Sequence, residues 1–277
     1  MMTWNPKQIR QHKNAGEKLG IIKDEFKFFL LEKIKSKEDV YEKDCVEFIK
    51  NSYKKHGLVN DSKKEFAIVA FGVNTKEVHY FPQGKGLKLT PETLILLDIW
   101  ARLSSPDGSA NGGQARLDQK AAPYADTTFM FYYSKVKSDK KKGKKKIPKE
   151  MQKIWEVLVK SRDNAISYIK KEIKKGRMPR GLDIDRAAHD VIGESGLARG
   201  IKHTVGHSLG FDSPHGELPG INWREYSPIL HNVGYTIEPG IYLETFGMRT
   251  ELDFYVNEKH EMVITTPIQK EIELLTI

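Results

Sequence analysis

A chain of 277 residues, 39% hydrophobic and 30% charged, is long enough to bury a sizeable core as one large domain or two small ones. Its lone cysteine, Cys45, excludes an intramolecular disulfide and a sulfur-rich zinc site, and no apolar stretch approaches the roughly 20 residues of a membrane span. The net charge of +9 is concentrated in residues 135–149, where nine lysines stand against one aspartate, and the rest of the chain is close to neutral.

In chain order, the first sixty residues read as helices. Leu19, Ile22, Phe26, Phe29, Leu30 and Ile34 recur at three- and four-residue steps and give one apolar stripe. Ser36 followed by Asp39 resembles a capping box opening a second helix. Cys45, Ile49 and Tyr53 share a face of that helix, so Cys45 reads as core rather than nucleophile. The period then shortens to that of strands, at 66–71 (FAIVAF), 78–82 (VHYFP), 94–100 (LILLDIW) and 127–133 (TTFMFYY). The turn-rich stretch 104–123 reads as a loop insertion. The lysine run reads as a solvated loop with no aromatics within its lysine core, so nucleic acid is not an expected partner. Pro148 suits the first turn of a long helix with the stripe Met151, Ile154, Leu158, Arg162, Ala165, Ile169 and Ile173. A shorter helix, with Ile184, Ala187, Ala188, Val191 and Ile192 on one face, stops at Gly196. Strands return at 235–243, 248–256 and 261–266. This order predicts an α+β fold in a single domain over residues 1–277, with no linker long enough to divide it. The opening MMTWNPKQIR lacks the apolar segment of a signal peptide, and the cytoplasm is the expected location, with no membrane partner.

Several residues are chemically out of place in this pattern. Asp98 sits in a run too apolar for a surface strand, so its carboxyl must pair, ligate a metal or be protonated. In 248–256, two-residue alternation puts Arg249, Glu251, Asp253 and Tyr255 on one face and Thr250, Leu252, Phe254 and Val256 on the other. Glu238 interrupts an apolar strand, and Pro239 after it ends regular pairing and re-aims the carboxylate. HTVGHSLGFDSPH supplies His203, His207 and His215. Gly206 and Gly210 argue against a helix there, and no glutamate follows the first histidine, so this is not the zinc-protease helix motif.

Together these segments resemble the pita-bread metallopeptidases, the family of methionine aminopeptidase, aminopeptidase P, prolidase and the metal-free creatinase. The matching pieces occur in family order: VHY with His79, LLDIW with Asp98, YADTTF with Asp126, HTVGHSLG with His203 and His207, TIEPGIY with Glu238, and RTELD with Arg249 and Glu251. The resemblance runs over about residues 10–266. It implies two pseudo-symmetric halves with a curved mixed or antiparallel sheet flanked by helices. It also implies two divalent metal ions, manganese first, with cobalt, iron or zinc as alternatives. Asp126 and Glu251 would bridge them, Asp98 completing one shell and His207 and Glu238 the other. Four carboxylates then balance two divalent cations, which favours a bridging hydroxide that attacks a peptide carbonyl. By the same resemblance Glu238 passes a proton to the leaving amine, His79 and His203 orient substrate, and His215 stabilises the oxyanion. Arg249, with the His203–His207 pair, is similar to the Xaa-Pro peptidases more than to methionine aminopeptidase. Its guanidinium is expected to bind the carbonyl or carboxylate end of a short peptide substrate, or alternatively to brace the acidic residues.

The sequence departs from the family pattern in four respects. The stretch 104–123 replaces a short hairpin and is expected to overhang the site. TTFM after Asp126 lacks an arginine that many relatives carry. His215 stands one residue further from His207 than the family spacing. The chain reads as the catalytic domain alone, without the domain that shapes substrate access in the proline-directed members. The expected activity is that of an Xaa-Pro aminopeptidase or dipeptidase. A methionine or broad aminopeptidase and a catalytically inactive binding module are the alternatives. No oligomeric state is indicated, with a homodimer one option.

Overall fold

The computed structural model describes residues 3–60, 66–104, 122–135 and 147–276. The lysine core at 136–146 and nearly all of the 104–123 insertion lie outside the described residues. Helix α1 (Pro6–Ser36) opens on Asn5, whose side chain accepts from the N–H groups of Lys7 and Gln8 while Gln8 accepts from the N–H of Asn5. Its stripe of Leu19, Ile22, Phe26 and Leu30 is buried, and Phe29 and Ile34 pack at the margin. The expected Ser36–Asp39 box does not form, because the Ser36 hydroxyl donates back to the Glu32 carbonyl at 2.9 Å. Helix α2 (Glu42–Lys55) begins instead where Asp44 accepts from the Tyr41 N–H at 2.9 Å.

Strands β1 (Leu58–Val59), β2 (Ala67–Phe71), β3 (Thr93–Leu103) and β4 (Ala125–Tyr133) follow. The segment 78–82, expected as a strand, is irregular: a 3-10 turn at Gly72–Lys76 precedes it and Pro82 ends it. Helix α3 (Lys149–Lys174) has Pro148 just before it, as N-cap rather than inside the first turn. Helix α4 (Gly181–Glu194) ends two residues before Gly196, which takes φ +79°. The remaining strands are β5 (Gly234–Ile237), β6 (Gly240–Tyr242), β7 (Gly247–Arg249), β8 (Leu252–Val256), β9 (Met262–Ile264) and β10 (Glu273–Leu275). Glu238 and Pro239 split the 235–243 run, and Thr250 and Glu251 split 248–256. Among the described residues no helix is long and apolar enough to cross a membrane.

Strand β3 is the hub of a mixed five-stranded sheet. It pairs antiparallel with β1, β2 and β4, and β10 joins β4 in parallel. Strands β5, β8 and β9 form a second ladder, and β6 and β7 a third. Alternation along β3 and β4 sorts the layers. Ile95, Leu97, Ile99, Phe129 and Phe131 pack with α1 and α2. Leu94, Leu96, Met130 and Tyr132 belong to a separate core with Ile154, Trp155 and Leu158 of α3. A third core joins Tyr235, Leu252 and Phe254 to Ile169 of α3 and Ile184 and Ala188 of α4. The result is α+β, with helices backing strands in each half. Asp98 and Asp126 fall on the even-numbered faces of β3 and β4, away from α1 and α2, in a register that pairs Asp98 with Thr128 and Trp100 with Asp126.

Candidate metal centre

The second half delivers its side chains through a segment laid along β5. The Thr236 N–H donates to the His207 carbonyl at 3.0 Å, and the Glu238 N–H donates to the Val205 carbonyl at 2.7 Å. Gly206 permits this approach, since a Cβ there would lie 2.2 Å from the Thr236 carbonyl oxygen. The imidazole of His207 then faces the acids of the first half. Its Nε2 lies 3.8 Å from Asp126 Oδ2 and 3.3 Å from Glu238 Oε1. One ligand atom each from Asp126, His207 and Glu251 falls within 4.8 Å of the others. His207 Nδ1–H donates to the Ser208 carbonyl at 3.0 Å, which leaves the Nε2 lone pair for the site. Burial, reinforced by His215, pulls the His207 pKa down to about 3, so the ring is neutral at pH 7.

The acids are strained as a group. Burial and the charge of Asp98 push the Asp126 carboxyl well above its ordinary value. Burial and Asp126 do the same to Glu251. Burial raises Glu238 to about 7, against the pull of Arg249. Asp126 Oδ1 is buried without a hydrogen-bond partner. Buried carboxylates with an orphaned oxygen are costly for the protein alone and suit a cation. An oxygen-rich donor set with one imidazole fits a divalent ion, so the residues present fit the metals that the motifs imply.

Arg249 is 3% exposed, and its fork is engaged by the site itself. Nη2 donates to Asp98 Oδ2, Nε to the Thr128 hydroxyl at 2.9 Å and Nη1 to the Tyr242 hydroxyl at 3.1 Å. Thr128 Oγ1 lies 3.0 Å from Asp98 Oδ1 and 2.7 Å from Glu251 Oε2. His203 stands beside Glu238, with Nδ1 3.9 Å from Oε2. Its Nδ1–H donates to the Thr204 carbonyl at 2.8 Å, and Nε2 accepts from the Tyr242 hydroxyl at 2.9 Å. Behind the cluster, Asp253 Oδ2 accepts from the Asp126 N–H at 2.9 Å.

A cavity of about 500 Å³ opens in front of the acids. His79, Asp98, Asp126, His207, His215, Glu238, Arg249 and Glu251 all line it, whereas His203 does not. The His215 ring packs edge-on to His207 at 4.2 Å. Sequence reasoning singled out these nine residues and missed Thr128 and Tyr242. Thr128 carried a usable signal, being two residues after Asp126 on one strand face; Tyr242 carried none.

The sequence pattern of metallopeptidase family M24 matches residues 121–258. An uncharacterized peptidase of Staphylococcus epidermidis is 28% identical over 230 residues, covering 83% of this chain and 54% of its own length. Dipeptidase PepE from Mycobacterium ulcerans has a similar structure, with a TM-score of 0.74 at 19% identity over 100% of this chain and 62% of its own. An X-Pro aminopeptidase from Thermotoga maritima gives a TM-score of 0.72 at 23% identity, over 99% of this chain and 64% of its own. This chain thus spans less than two thirds of the length of each. The structural likeness is to the pita-bread fold, and the matched segment contains Asp126, His207, Glu238 and Glu251. The chain belongs to metallopeptidase family M24.

Proposed function

We propose that this chain is a metal-dependent exopeptidase acting on short peptides, of the Xaa-Pro aminopeptidase or dipeptidase type. The observation that carries this reading is the convergence of Asp126, His207 and Glu251 within 4.8 Å on a cavity of about 500 Å³. Glu251 shares the Thr128 hydroxyl with Asp98, while Asp126 and Glu238 share His207. Asp98, Asp126, His207, Glu238 and Glu251 would hold the divalent ions, with manganese preferred and cobalt, iron or zinc accepted. Divalent ions held there would supply Lewis acidity and lower the pKa of an attacking water. Glu238 carries the proton from that water to the leaving amine. His215, on the cavity lining beside His207, donates an N–H to the developing oxyanion. His79 orients the peptide from the exposed rim. Arg249 braces Asp98 and Thr128, and its three contacts support that role over substrate binding. His203 acts through Tyr242 rather than on substrate. The names of the structural neighbours, a dipeptidase and an X-Pro aminopeptidase, support the substrate class.

The test is a dipeptide panel before and after chelation. Hydrolysis of Xaa-Pro peptides should vanish with chelator and return with manganese or cobalt. Turnover indifferent to chelation would falsify the metal reading. Cleavage of Met-Ala-type peptides with no Xaa-Pro turnover would move the chain to the methionine or broad aminopeptidases.

A further inference from the structure

Glu42 plays no part in the chemistry above, yet it is fully buried at the first position of α2. Its Oε1 accepts from the Phe71 N–H at 2.6 Å and from Asn74 Nδ2 at 3.0 Å. Its Oε2 accepts from the Leu87 N–H at 2.7 Å, the Tyr80 hydroxyl at 2.6 Å and Asn74 Nδ2 at 3.1 Å. Phe71 ends β2, and the other three partners lie on the crossing between β2 and β3. Residues 77–87 of that crossing belong to no helix or strand, so Glu42 stands where a neighbouring strand would otherwise supply acceptors. The first N–H groups of α2 complete the junction: Glu42 donates to the Leu87 carbonyl and Lys43 to the Lys85 carbonyl, each at 3.1 Å. The chain is threaded tightly past the carboxylate. Gly86 takes φ +71°, and a Cβ there would lie 2.3 Å from Glu42 Oε2. Tyr80, held by Glu42, sits between His79 and Phe81, both of which line the cavity in front of the acids.

We propose that Glu42 is a positioning residue for substrate binding, fixing the His79–Phe81 wall of the cavity through Tyr80 from a helix that carries no metal ligand. The inference rests on the exopeptidase reading only for what the wall binds. A carboxylate, acceptor on both oxygens, matches four converging donors; a carboxamide turns one end into a donor and leaves buried N–H and O–H groups facing it. The metal ligands sit on other elements, so a loosened wall weakens substrate positioning while the reacting centre stays intact.

The experiment compares Glu42→Gln and Tyr80→Phe with the wild-type chain, each loaded with manganese. KM for the best-cleaved peptide should rise about tenfold in Glu42→Gln and a few-fold in Tyr80→Phe, with kcat within about twofold and manganese content unchanged. Tryptic cleavage after Lys85 should accelerate in Glu42→Gln. Wild-type KM in both variants overturns the proposal, as does a loss of kcat and metal content alongside a raised KM, which marks general damage. If Glu42→Gln does not fold, Tyr80→Phe decides alone, and a wild-type KM there is fatal. If the wild type cleaves no peptide, the exopeptidase reading fails separately, and unchanged cleavage after Lys85 then overturns the role of Glu42.

Discussion

The Thr128 hydroxyl stands among three charged groups and has one proton to give. Arg249 Nε donates to it, and Asp98 and Glu251 compete for its hydrogen. This threonine therefore sets the spacing of two carboxylates that would otherwise repel, and it couples both to the guanidinium. Thr128→Val keeps the shape and removes the hydroxyl, which is not a neutral exchange in a buried site. Residues that orient metal ligands typically matter by roughly 10–100-fold in metal affinity, and a comparable loss is expected here. Hydrogen bonds to charged groups contribute about 1.5–3 kcal/mol, so the variant should also melt at lower temperature. Thr128→Ser should recover most of both. Metal titration decides the matter: wild-type manganese affinity in Thr128→Val would remove the residue from the site's design.

At the scale of elements, the join between the 203–207 segment and β5 places His207 and Glu238. Pro239 stops β5 at Ile237, so the Glu238 side chain leaves the strand toward the acids of the first half. Gly206→Ala puts a methyl 2.2 Å from a backbone oxygen that cannot yield. The segment must lift off β5 and carry His207 with it. The expected outcome is a chain destabilised by about 1–3 kcal/mol. Metal content should fall well below wild type. A fully loaded, active Gly206→Ala would show that His207 is placed by something else. The helical stripes and the long apolar strands were legible in the sequence because burial imposes one period along each. The crossing at 78–82 was not, because Phe81 faces a cavity and the Tyr80 hydroxyl is satisfied by Glu42, a partner remote in sequence. Strand β10 was not legible either: three residues become a strand only through parallel pairing with β4. The ring of acids and His207 could be named from motifs and strand alternation. Which neighbour takes the Arg249 fork depends on Tyr242 and Thr128 in three dimensions, and alternation gives a face without naming the partner.

For the molecule as a whole, the proposed ligand set draws on two halves that share a core, since Leu94, Met130 and Tyr132 of the first pack with Ile241 and Met248 of the second. Asp98 and Asp126 come from β3 and β4, whose other face packs on α1 and α2. His207, Glu238 and Glu251 come from the half whose core lies under α3 and α4. A cation held among them would act as a clamp, and its binding would become part of the folding free energy. The metal-free protein must carry the acids by protonating them. A carboxyl whose pKa is higher folded than unfolded holds its proton more tightly in the native state. Its favourable contribution is present below the unfolded value and is lost as pH rises through the folded value. For Glu238 that window runs from the ordinary 4.5 to about 7. Such a difference corresponds to on the order of 3 kcal/mol. Asp126 and Glu251, both raised, act in the same direction. His207, lowered to about 3, works the other way up to its ordinary 6.5, so chelated protein should lose Tm chiefly as pH rises above about 6.5, where the raised acids still titrate. Manganese should cancel that loss, because the cation takes the place of the protons. At a hundredfold excess over Kd, binding adds about 2.7 kcal/mol, or roughly 5–10 °C in Tm near pH 7. Below about pH 5 the shift should shrink as protons compete for the same oxygens. Thermal melts across this range, with and without manganese, check both arms. A chelated protein whose Tm climbs as pH rises above about 6.5, or a manganese shift equal at both ends, would mean that no cation joins the two halves.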